Sequence, residues 1–167
     1  MKESLADQLA RLTGQPPPEK PKRHRNFSPV TEEYLNKGHV LLVPLSEDEG
    51  LVVKGEYESQ NKFVTIIGIA ADGSVIGSLL INTIPNEATP EFRNCQYLLR
   101  VKDYPTILDY DSWLDCSQLF RIPKAKVMTW GGYCGKITDM DWEYIETFLV
   151  ETDVLSNKIK KEFGLIE

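Results

Sequence analysis

The apolar and polar positions of the chain follow two patterns, one typical of strands and one typical of helices. Short runs rich in β-branched residues are typical of strands, and the clearest of them are 39–46, 62–70 and 74–83. Asp72 and Gly73 separate the second run from the third. Because Asp and Gly both tolerate a positive φ, this dipeptide predicts a tight hairpin turn. Weaker strand patterns cover 96–101, 112–122 and 125–130, and the glycine-rich segment 131–135 reads as a turn.

Helical spacing dominates the C-terminal part of the chain and predicts two helices. The first begins at Thr138, with acidic residues in its first turns, where negative charge complements the helix dipole. Its apolar stripe consists of Trp142, Ile145, Phe148 and Leu149. The second helix is predicted from Ser156 to Phe163, because Gly164 is a typical residue after a helix end. A brief helix is also predicted over 29–36.

The order of these elements indicates the fold class. Five or six strands at short spacing precede the two C-terminal helices. This order favours an α+β architecture, in which a small barrel or strongly bent sheet packs against helices at one side. It argues against an alternating βαβ layout.

Residues 1–26 differ in composition from the rest and are predicted to be a separate arm. Leu5, Leu9 and Leu12 have the spacing of a short amphipathic helix over 3–12. The segment 14–26 contains four prolines and several basic residues, which is typical of an extended linker. It can serve as a docking arm for a partner or nucleic acid, or as a solvated spacer. Residues 27–167 are predicted to be a single domain.

Composition and charge narrow the function classes. The chain has 167 residues, of which 41% are hydrophobic, so it can bury a core without metal or disulfide cross-links. Residues 1–26 carry a net charge of +3, whereas residues 27–167 carry −9. A body this acidic binds nucleic acid poorly unless its few cations converge on one face. The sequence has no apolar run of about 18 residues and no signal peptide, which predicts a cytoplasmic protein without a membrane span.

Several kinds of site are disfavoured by the residues themselves. His24 and His39 are the only histidines, and the three cysteines form no CxxC pair, so neither a metal centre nor a redox dithiol is expected. The segment 109–120 starts like a calcium loop but has Trp113 and Phe120 where oxygen ligands belong. A hydrolase using Cys116 or His39 has no positive feature in its favour.

Four segments, in the same order, resemble the MazF/PemK-type toxin family. They are Lys37-Gly38-His39-Val40 with its strand, 63–68, Leu79-Leu80-Ile81-Asn82-Thr83, and the serine-led run 112–122 followed by Gly135-Lys136-Ile137-Thr138 and a helix. The resemblance covers about residues 37–150. It implies an SH3-like β-barrel of five to seven strands with C-terminal helices. It also implies a homodimer that acts, without a metal or other cofactor, as an endoribonuclease on single-stranded RNA and pairs with an antitoxin protein.

The resemblance also implies a site. In the family, catalysis depends largely on an arginine near the start of the second strand and a Thr or Ser that ends the third. Thr83 matches the latter, while Asn61 and Lys62 stand in place of the arginine. Lys62 and Thr83 are therefore the predicted catalytic residues. The predicted substrate-binding residues are Asn82, Asn86 and Arg93.

Each of these residues also has an ordinary structural interpretation. Thr83 can end a strand and bond a turn, and Lys62 can be a solvated lysine at a strand edge. The asparagines flank a Pro85 turn, and Arg93 can pair with one of the many acidic residues. Two functions follow: a toxin-like endoribonuclease, or a catalytically inactive barrel that binds a protein or nucleic acid. They differ in whether Lys62, Thr83 and Arg93 share one open, electropositive groove.

Overall fold

The computed structural model describes residues 27–52 and 59–167. Its strands are β1 (Ser28–Pro29), β2 (His39–Leu45), β3 (Gln60–Ile69), β4 (Val75–Asn82), β5 (Gln96–Leu99), β6 (Ser112–Asp115), β7 (Phe120–Pro123) and β8 (Gly132–Lys136). Its helices are α1 (Pro90–Arg93), α2 (Lys124–Trp130), α3 (Asp139–Glu151) and α4 (Asn157–Glu162). Short 3₁₀ turns occur at Glu32–Tyr34 and Glu47–Glu49. The α+β class is confirmed.

The eight strands of the described residues belong to one antiparallel sheet, in which seven follow the order β1-β8-β2-β3-β4-β6-β5 and β7 pairs with β4 off this path. The strand β4 is central, because it pairs with β3 on one side and with β7 and then β6 along the other. The described residues form eight strands, one more than the upper limit of the predicted five to seven. The described strand pairs also leave β1 and β5 as open edges, so the sheet is not a closed barrel.

The predicted hairpin between β3 and β4 is confirmed. Gly73 has a φ of 76°, and its N–H donates to the Ala70 carbonyl at 2.8 Å. The Asp72 carboxylate accepts hydrogen bonds from the backbone N–H of Ser74 at 3.0 Å and from its hydroxyl at 2.8 Å. The turn therefore fixes the register that brings the far ends of β3 and β4 together.

Residues 112–122 form two strands rather than the single strand that the pattern predicts. The Asp115 carboxylate accepts hydrogen bonds from the backbone N–H of Ser117, at 3.0 Å, and from its hydroxyl. It also accepts from the side chains of Gln96, at 2.9 Å, and Asn86, at 3.1 Å. These bonds hold a turn after Asp115, and an apolar pattern does not report such a turn.

The segment 125–136 is the largest departure from the sequence interpretation. Residues 125–130 belong to the helix α2 instead of a strand, and 132–135 belong to the strand β8 instead of a turn. A short apolar run cannot distinguish a strand from a buried helical turn. The glycines of β8 allow close packing: a Cβ on Gly132 would lie 3.0 Å from Phe27, and one on Gly135 would lie 3.0 Å from Ile107.

The two C-terminal helices begin where the sequence predicts. Thr138 caps α3 by accepting from the N–H of Asp141 at 3.3 Å, and Ser156 caps α4 by accepting from that of Ile159 at 3.3 Å. Gly164 follows α4 with a φ of 71°. The predicted helix over 29–36 is only the 3₁₀ turn Glu32–Tyr34.

The sheet buries apolar side chains on both faces. Ile67 belongs to a cluster with Ile145 and Leu149 of α3, while its neighbour Ile66 belongs to a second cluster with Val127 of α2. Successive residues of a strand point to opposite faces, which explains the continuous apolar runs. The predicted helix over 3–12 and the linker over 14–26 lie outside the described residues, as does the segment 53–58.

Candidate functional site

A cavity of about 370 Å³ opens at the end of the β3–β4 hairpin that is opposite its turn. The residues come from the start of β3, the end of β4 and the segment 108–112. The polar side chains of the lining are Gln60, Asn61, Lys62, Asn82, Thr83, Asp109 and Ser112. The apolar and aromatic ones are Phe63, Ile81, Ile84, Leu108 and Tyr110.

The antiparallel register brings Lys62 and Thr83 to the same cavity. Phe63 pairs with Ile81 across the hairpin, and continuing this register places Lys62 opposite Asn82. Thr83 follows directly after β4. Lys62 and Thr83 therefore line one opening, whereas Arg93 does not.

Lys62 is half-buried, and burial lowers the pKa of its ammonium below the ordinary value of 10.5. None of the ion pairs within residues 27–52 and 59–167 includes Lys62. A partly desolvated cation gains free energy when an anion binds beside it. The carboxylate of Asp109 lines the same cavity, so the cavity combines one cation with one anion.

Asn82 and Thr83 present further polar groups to the cavity. Asn82 is half-buried and Thr83 is exposed. In the described part of the chain, neither side chain has a hydrogen-bond partner. The interpretation of Thr83 as a residue that bonds a turn thus has no support from these contacts, and its hydroxyl can reach a ligand.

The other two predicted substrate-binding residues lie outside the lining of this cavity. The Asn86 amide donates to Asp115 at 3.1 Å and accepts from the N–H of Ala88 at 3.2 Å. These bonds hold the loop before α1. Arg93 is exposed at the end of α1. The structure therefore brings Lys62, Asn82 and Thr83 together and leaves Asn86 and Arg93 apart from them.

Sequence reasoning missed the contribution of the segment 100–111, which supplies Leu108, Asp109 and Tyr110. The hydroxyl of Tyr104 donates to the Asp141 carboxylate, and the N–H of Thr138 donates to that hydroxyl at 3.2 Å. These bonds anchor the segment to the start of α3. In the sequence, residues 109–111 resemble only the start of a calcium loop. Their place in the cavity could not be predicted, because it depends on contacts between distant parts of the sequence.

Cys95, Cys116 and His39 do not line this cavity. Burial raises the pKa of the Cys116 thiol, and burial and the nearby Asp115 raise that of Cys95. Both thiols are thus poor nucleophiles near neutral pH. Burial and Lys136 lower the pKa of His39. Among the described residues, no group of three His, Cys, Asp or Glu side chains is arranged to hold a metal ion.

Comparisons with known proteins do not assign the chain to a family. No model of a known protein family matches it, and no curated protein matches it. Along the described ranges, no helix has the length and apolar character required to cross a membrane. The function must therefore be inferred from the residues that line the cavity.

Proposed function

We propose that the protein is a toxin-like endoribonuclease that cleaves single-stranded RNA at this cavity. The observation that carries the proposal is that Lys62 and Thr83, which the family resemblance selects, line one opening together with Asn82. In this proposal the sheet is an open variant of the family's SH3-like barrel. Register shifts in β2–β8 and β3–β4 support it, because bulges bend strands and increase their twist.

The reaction is a transesterification by the neighbouring ribose 2′-hydroxyl. The 2′ oxygen forms a bond to phosphorus, the bond from phosphorus to the 5′ oxygen breaks, and the products are a 2′,3′-cyclic phosphate and a 5′-hydroxyl. The Asp109 carboxylate takes the proton of the 2′-hydroxyl, and the Lys62 ammonium gives a proton to the leaving oxygen. Thr83 and Asn82 donate hydrogen bonds to the non-bridging oxygens of the phosphorane.

A lowered pKa suits Lys62 to this role. Burial makes its ammonium a stronger acid than a solvated lysine, so it gives up a proton to a developing alkoxide more readily. Before the transfer, its charge stabilises the phosphorane. Lysine supplies a point charge, whereas the family's arginine supplies a planar fork that grips phosphate in two places.

A second candidate function is binding of single-stranded RNA without cleavage. It is favoured because, within the described lining, Lys62 is the one cation and no arginine stands beside it to grip the phosphorane in two places. Arg93, the other predicted cation, lies outside the cavity. Such a binding module would hold the phosphodiester at Lys62 but leave it intact.

Cleavage of single-stranded RNA by purified protein in the presence of EDTA tests the two functions. We expect products that end in cyclic phosphate, and we expect Lys62→Met and Thr83→Val each to lower the cleavage rate by about 100-fold or more. Matched controls are Lys158→Met in α4 and Thr129→Val in α2, both exposed. Neither control should change the rate.

The outcome separates the candidates. Intact RNA that binds folded protein through Lys62 would reject the nuclease and support the binding module. RNA that neither binds nor is cut would reject both. The antitoxin partner and the homodimer belong to the nuclease proposal, which also expects growth arrest on expression that Lys62→Met relieves.

A further inference from the structure

The cavity offers more than a site for a phosphate. Its volume of about 370 Å³ lies in the range of pockets that hold a whole small molecule. One part of the lining is polar, from β3 and the end of β4. The other includes two large apolar side chains that stay exposed, Tyr110 at 54% and Ile84 at 77%. Exposed apolar groups beside polar ones mark recognition surfaces.

The backbone around Tyr110 is fixed while its ring stays exposed. The buried hydroxyl of Ser112 donates to the Tyr110 carbonyl at 2.9 Å, and the N–H of Val101 donates to the Asp111 carboxylate at 2.9 Å. Within the described residues the Tyr110 ring has no aromatic partner and its hydroxyl has no hydrogen bond. A tyrosine on a fixed backbone has only two χ angles left to order, so its ring can stack on a flat ligand with little loss of conformational entropy.

The polar part of the lining favours a nucleobase over a second phosphate. The Asp109 carboxylate repels a second anion. The amides of Gln60, Asn61 and Asn82 each carry both donors and acceptors, as the edges of bases do. An unpaired base exposes both its faces and its edges, whereas a base in a duplex does not.

We propose that the cavity holds one unpaired nucleotide, whose phosphate lies at Lys62, whose base stacks on Tyr110 and whose far side contacts Ile84. The position of the phosphate rests on the proposed function. The stacking contact is an addition to it and makes Tyr110 a substrate-binding residue that reads the base face.

Titration with adenosine 5′-monophosphate and with ribose 5-phosphate, followed by NMR, tests this inference. The two probes share a phosphate and differ in the base. We expect Tyr110→Ala to weaken binding of the nucleotide about tenfold and to leave ribose 5-phosphate unchanged. Tyr110→Phe keeps the ring and should restore the affinity, whereas Lys62→Met should weaken both probes.

Tyr144 offers a matched control, because it is 71% exposed on α3 and does not line the cavity. Tyr144→Ala should leave both affinities unchanged. If Tyr110→Ala does not fold, Ile84→Ala replaces it, with an expected loss of about threefold for the nucleotide alone. Circular dichroism checks folding.

Two results would overturn the inference: equal losses for both probes, or wild-type protein that binds the nucleotide no better than ribose 5-phosphate. Failure of the proposed function looks different. If RNA stays uncut while Tyr110→Ala weakens the nucleotide alone, the nuclease is rejected and the stacking contact stands. If Lys62→Met stops cleavage while Tyr110→Ala changes neither affinity, only the stacking contact is rejected.

Discussion

The β3–β4 hairpin has two ends that are built from different side chains. At the turn end, Gly68 pairs with Gly77, and Phe163 packs on both glycines with 1% of its surface exposed. At the open end, Lys62 and Thr83 line a cavity. The same two strands thus have a closed end, where Phe163 covers two glycines, and an open end, where polar groups are accessible.

The difference separates stability from ligand binding along one element. Burial of Phe163 stabilises the fold through the hydrophobic effect, by about 2 kcal/mol for a fully buried aromatic ring. Burial lowers the pKa of the Lys62 ammonium, and this desolvation of a charged group opposes folding. The closed end therefore offsets the cost of holding a partly desolvated cation at the open end, which is a common arrangement at functional sites.

Of the two glycine substitutions at the closed end, Gly68→Ala is expected to have the larger effect. The new Cβ would lie 2.0 Å from the backbone oxygen of Phe163, and a backbone atom cannot turn away as a side chain can. We expect the free energy of unfolding to fall by about 3 kcal/mol. Urea denaturation measures it. A loss below about 1 kcal/mol would show that α4 can shift without cost and that the closed end is not rigid.

Gly77→Ala tests the same contact from the other strand. Its Cβ would lie 2.7 Å from the Phe163 ring, so the clash involves a side chain. We expect a loss of about 2 kcal/mol for Gly77→Ala and about 4 kcal/mol for Phe163→Ala.

A double-mutant comparison sharpens this prediction. The Gly77→Ala, Phe163→Ala double variant should be no less stable than Phe163→Ala alone, because the ring is gone. Gly68→Ala should instead add to Phe163→Ala, because the backbone oxygen remains. The same coupling for both glycines would contradict the distinction between a ring contact and a backbone contact.

Local signals account for most of what the sequence predicts correctly. The Asp72-Gly73 turn and the β-branched runs define the hairpin, and Thr138 and Ser156 mark the helix starts. The helix α2 and the strand β8 are missed because each is short. A seven-residue apolar segment and a glycine-rich one carry too few positions for their periodicity to identify them.

Long-range contacts account for the rest. The role of Gly68 and Gly77 depends on Phe163, which lies far away in the sequence. Tyr110 reaches the cavity because Tyr104 is bonded to Asp141. Lys62 and Thr83 could be predicted because a hairpin register is a local property and places its two open ends together.

The smallest effect expected is a pH dependence at the open end. The unfolded chain keeps the ordinary Lys62 pKa of 10.5, and burial lowers it in the folded protein. Between the lowered pKa and 10.5 the unfolded state binds more protons, so folding stability rises with pH. Affinity for ribose 5-phosphate falls over the same range, because the ammonium loses its proton.

Lys62 is therefore expected to make folding stability rise with pH and the affinity for ribose 5-phosphate fall with pH. Urea denaturation and NMR titration between pH 8 and about 10.5 measure the two slopes, and the difference between wild type and Lys62→Met isolates Lys62 from other titrating groups. Lys62→Arg stays charged throughout, so its affinity should not fall. Equal stability slopes in wild type and Lys62→Met would show that Lys62 is as well solvated as any surface lysine. In that case the two ends of the hairpin would differ in side-chain packing but not in the desolvation of a charged group.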